Sequence, residues 1–249
     1  MNASTSTNPP ARRAIVVGAS SGIGAALVRQ LAREGWKVAA LARRQSELEA
    51  LGKQTGALVR VHDAQDFDAV PALFEELVKE LGGLELVVYA AAVMHRIGRD
   101  EYDTRKDLEQ VAVNLGGCIA WGNAAALYFK SQRAGTIVGI SSIAGERGRK
   151  GSPVYGTTKA AMNTYLEALR NRLAESNVHV CTIKPGFVDT AMTAGMGKLL
   201  WVVSADEAAR QILVAARTRA NERFVPRRWW FVATAIRSIP SFLFRHLNV

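Results

Sequence analysis

Tyr155 and Lys159 stand four residues apart in the stretch GSPVYGTTKAAMNTYLEAL. On a helix that spacing puts both side chains on one face, a turn apart. A tyrosine of pKa about 10 is a poor acid–base group at neutral pH. A nearby ammonium favours the phenolate, lowers that pKa and makes the hydroxyl a usable proton donor. Ser142 ends the apolar run GTIVGIS thirteen residues earlier, where it can hydrogen-bond an oxygen held against Tyr155. Together the three suit a carbonyl: a proton for the forming alkoxide, a hydroxyl to orient it and a cation to tune the donor. Alone, a Y-x-x-x-K pair is a common surface feature and Ser142 a common strand-end hydroxyl. A second motif far upstream gives the set its meaning.

Directly after the apolar run RAIVVGA comes GASSGIG, with Gly18, Gly22 and Gly24. Gly18 permits a tight turn, Gly22 lets backbone approach a pyrophosphate, and Gly24 lets the next helix pack close to a sheet. The helix that follows turns free N–H groups and a positive dipole end toward phosphates. Gly18-Ala19-Ser20-Ser21-Gly22 also fits the G-x-S-x-G nucleophile elbow of hydrolases. That elbow belongs on a later strand and needs an exposed histidine, whereas His179 lies inside a predicted strand. The next strand ends in Ala42-Arg43-Arg44, where NAD-binding sites usually carry an acid for the ribose hydroxyls. Two guanidinium groups suit a 2′-phosphate, so the pattern points to NADP(H) over NAD(H). The plain alternative is a solvated helix start.

These residues need a frame, and the chain supplies one. Strands are predicted at RAIVVGA, KVAALA, LVRVHD, LELVVYA, GTIVGIS and VHVCTIKPG, with a short run RFVP. Helices are predicted at GIGAALVRQLAREG (closed by Gly35), RQSELEALGKQTG, FDAVPALFEELVKELG, roughly Arg99 to Ser131, Ser152 to Ser176 and SADEAARQILVAART. Ser152 is expected to cap the helix that carries Tyr155, with Pro153 in its first position. Strand and helix alternate, and the strands are almost continuously apolar, as strands covered on both faces should be. The expected fold is α/β: a Rossmann-type, doubly wound parallel sheet in a single domain. Residues 1–11 read as a flexible leader, 12–225 as the domain and 226–249 as a C-terminal apolar and basic helical extension.

Composition narrows the partners. The 249 residues are 49% hydrophobic and 22% charged, with net charge +10, which favours anionic ligands. No helix-turn-helix, zinc-finger or stacking-sheet signature accompanies the charge, so nucleic acid is not expected. Cys118 and Cys181 each lie in an apolar segment and read as buried free thiols suited to a reducing cytoplasm. The cysteines and histidines show no metal-ligand spacing, so no metal is expected. The N-terminal segment MNASTSTNPPARR lacks the apolar run of a signal peptide. No stretch reaches the roughly 18–20 uninterrupted apolar residues that cross a bilayer.

At the quoted motifs the sequence resembles the short-chain dehydrogenase/reductase family, from about Arg13 to Ala220. The resemblance implies hydride transfer between NAD(P)(H) and a carbonyl or alcohol, with Ser142, Tyr155 and Lys159 catalytic. It assigns Asn114, in VAVNLGG, to holding a water near the lysine and completing a proton relay. In the turn it implies cofactor contacts from Gly18, Ser20, Ser21, Gly22, Ile23 and Gly24, and at the next strand end from Arg43 and Arg44. Asp63 and Ala64 would lie beside the adenine, with Ala91 nearby. From KPGFVDT it implies contacts by Pro185, Gly186, Val188 and Thr190, the last at the nicotinamide carboxamide. Tyr155 and Lys159 would meet the cofactor too. Family members are commonly dimers or tetramers. The chain departs from the pattern at Val17, usually threonine, and at Tyr89-Ala90-Ala91-Ala92, usually a polar N-A-G segment.

The C-terminal PRRWWFVATAIRSIPSFLFRHLNV carries four arginines and no acid. It has helical propensity from Arg228 to Arg237, and Pro240 then breaks it. Mixed aromatic and basic residues suit a helix in the headgroup region of an anionic membrane, on its cytoplasmic side; docking on the protein's own core or on a partner subunit is the rival. Paired with SSIAGERGRKGSPVYGTTKA, this tail resembles the decaprenylphosphoryl-2-keto-ribose reductases. That narrower likeness implies a keto-sugar on a polyprenyl phosphate, with the basic loop meeting phosphate and the tail meeting lipid. The rival enzyme is a general ketone, steroid or 3-oxoacyl reductase whose tail closes a hydrophobic pocket. A non-catalytic nucleotide-binding scaffold is a third reading, opposed by the intact Ser142, Tyr155 and Lys159.

Overall fold

The computed structural model describes residues 12–98 and 100–247. The leader expected over residues 1–11, the expected helix start at Arg99 and the last two residues lie outside them. The chain alternates strand and helix: β1 (Arg13–Val17), α1 (Gly22–Arg33), β2 (Lys37–Ala42), α2 (Gln45–Thr55), β3 (Leu58–Val61), α3 (Val70–Leu81) and β4 (Leu86–Tyr89). A continuous helical run follows, made of α4 (Thr104–Gln110), one π-helical segment (Val111–Gly116) and α5 (Gly117–Gln132). Then come β5 (Thr136–Ile140), α6 (Pro153–Leu173), β6 (His179–Pro185), the two-residue strands β7 (Val188–Asp189) and β8 (Val203–Ser204), α7 (Ala205–Arg217) and β9 (Glu222–Val225). The tail forms α8 (Trp229–Ser238) and the single turn α9 (Ser241–Phe244).

Seven parallel strands pair in the order β3-β2-β1-β4-β5-β6-β9. Both faces of this sheet are covered, and successive residues of a strand serve opposite sides. In β1, Ala14 and Val16 join the core under α1 and α7, whereas Ile15 and Val17 join the core under α3, α5 and α6. The same alternation separates Cys181 and Ile183 from Val180 in β6. Two-sided burial accounts for the near-continuous apolar strands of the sequence. Strand order reverses between β1 and β4, and at such a switch point the loops part to leave a crevice at the strand ends.

The run Thr104–Gln132 is long and apolar enough to cross a membrane by length and composition. Here it packs Cys118, Trp121, Ala125 and Phe129 into the core instead. Both cysteines are buried and free. His179 is buried in β6, and burial with Arg219 nearby holds its pKa down to about 4. A neutral histidine inside a sheet cannot serve the hydrolase elbow. Ser152 does not cap α6: its backbone is left-handed, with φ 53° and ψ 58°, and its side chain makes no capping hydrogen bond. An N-cap serine needs extended geometry to reach the first free N–H groups.

Candidate active site

The crevice at the switch point encloses about 510 Å³. Its floor begins at the glycine turn. Gly18 has φ 88°, and a Cβ there would overlap the backbone of Ala91. A Cβ on Gly24 would overlap the carbonyl of Gly18, so only glycine lets α1 start this close to β1. Val17 is buried under the turn, and the backbone of Ala90 and Ala91 closes on Gly18.

At one end of the crevice the two arginines differ. Arg44 bends over the turn: its Nη2 donates to Ser20 Oγ at 2.8 Å and Ser21 Oγ at 2.6 Å, and Nε donates to Ser20 Oγ at 3.2 Å. Arg43 Nη1 lies 3.9 Å from both Asp63 Oδ2 and Glu109 Oε1. These are donor groups in a fork, with two hydroxyls beside them, on a turn with no room for side chains. The donor set suits a dinucleotide's phosphates, so the residues present fit such a cofactor.

At the other end stand the reacting groups. Tyr155 and Lys159 share one face of α6 and both are buried. Burial pushes Tyr155 above its ordinary pKa, while a hydrogen bond with Ser142 and the charge of Arg149 pull the other way. Burial lowers Lys159 to about 8. Its Nζ donates to the Ile140 carbonyl at 2.9 Å and lies 5.6 Å from the Tyr155 ring centroid. Arg149 is thus a second cation near the phenol, beside the lysine that the spacing points to. Spacing gives the shared face but not where a four-carbon stem places its ammonium. Ser142 Oγ accepts from Ala144 N at 3.0 Å, which aims the hydroxyl and leaves its proton to donate.

Of the expected site residues, Gly18, Ser20, Ser21, Gly22, Ile23, Gly24, Arg43, Arg44, Ala64, Ala91, Ser142, Tyr155, Lys159, Pro185, Gly186, Val188 and Thr190 all line the crevice. Asp63 and Asn114 stand behind the lining. Asp63 Oδ1 accepts from Gln65 N at 3.0 Å and shapes the turn after β3. Asn114 sits in the π-helical segment, fully buried. Its Oδ1 accepts from Val93 N at 2.8 Å, and its Nδ2 donates to Val93 O at 3.0 Å and Thr158 Oγ1 at 3.1 Å. Only the second lone pair of Oδ1 remains for a water. Sequence reasoning missed Met94, Ile143, Phe187, Met192 and Met196, which make much of the crevice apolar. It singled out the basic loop but not Arg149 within it.

The short chain dehydrogenase family matches residues 12–199, which span the turn, the crevice and the reacting groups. The chain belongs to the short-chain dehydrogenase family. It is an NAD(P)-dependent oxidoreductase of this type. An uncharacterised oxidoreductase of Staphylococcus aureus strain USA300 is 33% identical over 184 residues, 73% of this chain and 80% of that protein. A short-chain dehydrogenase/reductase of Mycobacterium ulcerans shares the fold with TM-score 0.77 at 22% identity, covering 86% of this chain and 87% of its own. A Brucella melitensis protein named ribose-5-phosphate isomerase superposes with TM-score 0.79 at 27% identity, covering 86% and 89%. A name for a different reaction on so similar a frame shows why the reaction must be read from side chains.

Proposed function

We propose that this dehydrogenase reduces a ketone to a secondary alcohol with NADPH, and that Tyr155 gives the proton. The observation that carries the reading is the convergence of Ser142, Tyr155 and Lys159 at one end of a crevice whose other end is the glycine turn and its two arginines. A bound nicotinamide supplies the hydride. Tyr155, held protonated at neutral pH by burial, donates to the forming alkoxide. Ser142 holds the carbonyl oxygen on the tyrosine side. Lys159 fixes the floor through Ile140 and would hold the ribose of a bound nicotinamide, and Asn114 anchors the Val93 backbone beside them. Arg44, with the Ser20 and Ser21 hydroxyls, favours a 2′-phosphate.

The substrate class we propose is an apolar ketone carrying a phosphate ester, of the polyprenyl-phosphate keto-sugar kind. The crevice supports it with its methionine and phenylalanine lining. A second hollow of about 520 Å³ adjoins it, lined by Arg147, Arg149, Lys150 and Arg245. Arg149 borders both. Trp230, Phe231, Phe242 and Leu243 are exposed among the tail's arginines, which supports peripheral contact with the cytoplasmic face of an anionic membrane. Exposed Leu108 and Leu127 on α4 and α5 support a homodimer or homotetramer. The test is NADPH oxidation across matched ketones: simple, steroidal, 3-oxoacyl and prenyl-phosphate keto-sugars. Turnover highest on the phosphate-bearing, apolar member is expected. Equal rates with and without the phosphate would overturn the substrate class, and no turnover on any ketone, with NADPH bound tightly, would leave the scaffold reading.

A further inference from the structure

Helix α8 ends without a cap of its own. Ile239 leaves the helix at φ −69° and ψ 125°, and Pro240 follows it. The last carbonyls of a helix need donors from elsewhere. Here they come from the loop between Ser142 and Tyr155. Arg147 Nη1 donates to the carbonyls of Ile236 at 2.7 Å, Arg237 at 3.3 Å and Ile239, and Nη2 donates to Ser241 Oγ at 3.3 Å. The same guanidinium lies 4.1 Å from the Phe244 ring centroid. A cation at a helix C-terminus also opposes the negative end of its dipole.

Glu146 makes the other half of this junction. Its side chain is 4% exposed and lies 3.2 Å from Arg237 Nη1 of the tail and 3.0 Å from Lys184 Nζ. Lys184 is also buried and immediately precedes Pro185-Gly186, which line the crevice. At the root of α8, Trp229 packs edge-on against Phe187 and Trp201, and a Cβ on Gly186 would overlap its indole. One cluster thus joins three pieces: the tail, the loop that follows Ser142, and the end of β6 that lines the crevice.

We infer that Arg147 is a positioning residue, which caps α8 and thereby holds the Ser142–Tyr155 loop against the crevice, so that the tail buttresses the active-site lining from behind. The kinetic consequence rests on the reductase reading; the structural one does not. A loop rich in glycine and charge, with residues 146–152 drawn from ERGRKGS, has little packing of its own to order it. Nη1 alone serves three carbonyls while Nη2 reaches Ser241 Oγ and the guanidinium plane lies against Phe244, a spread that a lysine's point-charge ammonium matches only in part.

The experiment uses the full chain with NADPH bound, as wild type, Arg147→Ala and Arg147→Lys, read by hydrogen exchange and by kinetics. Loss of charge-assisted hydrogen bonds predicts about tenfold faster exchange in Trp229–Phe244 and equally in Ile143–Ser152, with β1–β5 unchanged. For a reduced ketone that carries no phosphate, and so does not engage the basic hollow that Arg147 lines, KM should rise about tenfold while kcat and NADPH affinity stay within about threefold. Arg147→Lys should loosen both segments as well, and it decides the matter if the alanine variant does not fold. Faster exchange in the tail alone, with Ile143–Ser152 still protected, would overturn the proposal. A wild type that reduces no ketone removes the reductase reading and leaves the exchange result standing.

Discussion

Replacing Arg43 and Arg44 by alanine should weaken NADPH far more than NADH. Arg44 already reaches over the turn to Ser20 and Ser21, and its nearest carboxylate, Glu47, lies 3.5 Å from Nη1. Arg43 is shared between Asp63 and Glu109 at 3.9 Å each, so part of its charge is already engaged. A charge-assisted hydrogen bond contributes about 1.5–3 kcal/mol. Both side chains are half exposed, which puts each at the lower end. Together they give about 3 kcal/mol, or about a hundredfold in Kd, with Arg44→Ala carrying the larger share. NADH lacks the 2′-phosphate and should lose no more than about threefold. The assay is fluorescence titration of both cofactors against wild type, each single variant and the double variant. Ionic strength must be held constant, because exposed charges are screened within about 10 Å at 0.1 M salt. Equal losses for the two cofactors, or a wild type that binds NADH more tightly, would refute the reasoning.

Two further outcomes follow from burial and exposure. Lys159→Met should abolish turnover yet stabilise the fold. The lysine's pKa falls from 10.5 to about 8 on burial, so the folded state binds fewer protons than the unfolded one between those values. Its contribution to stability therefore rises with pH across that window, and at pH 7 the buried ammonium costs about 3 kcal/mol. The orphaned Ile140 carbonyl takes back about 1 kcal/mol, leaving a net gain of about 2 kcal/mol by urea unfolding at pH 7, shrinking as pH rises from 8 to 10. A variant less stable than wild type at pH 7 would contradict this. Trp230→Ser with Phe231→Ser changes only exposed rings, so activity on soluble ketones should persist while co-sedimentation with phosphatidylglycerol vesicles falls at least about tenfold. Unchanged sedimentation would remove the membrane contact.

Much of this molecule is legible in its sequence. Two-sided burial writes itself into a sequence as apolar runs, so the strands and the doubly wound sheet followed directly. Steric exclusion writes itself as glycine, and Gly18 and Gly24 stand where a side chain would strike backbone. Catalytic spacing on one helix was legible for the same local reason. What escaped depends on contacts between distant segments. The π-helical segment holding Asn114 against Val93 has no local signal, and neither does the turn of Lys159 toward Ile140. Ser152 looked like a cap by residue type, but its left-handed backbone prevents it. The tail posed a choice between lipid and the protein's own core, and its two sides differ. Trp229 and Ala233 are buried, whereas Trp230 and Phe231 are not. A helix of ten residues that is apolar on most sides does not announce which of its three aromatics packs.

In the proposed reaction Tyr155 donates the proton to a carbonyl oxygen held in this crevice. Tyr155→Phe removes one oxygen from a buried ring and leaves the cofactor turn untouched. Its direct test is NADPH oxidation with the best ketone of the panel, measured beside NADPH affinity on the same protein. Loss of general acid catalysis predicts a fall in kcat of about 10²–10⁴, with NADPH affinity within about twofold. A phenylalanine variant that retains a substantial fraction of the wild-type rate would contradict the account.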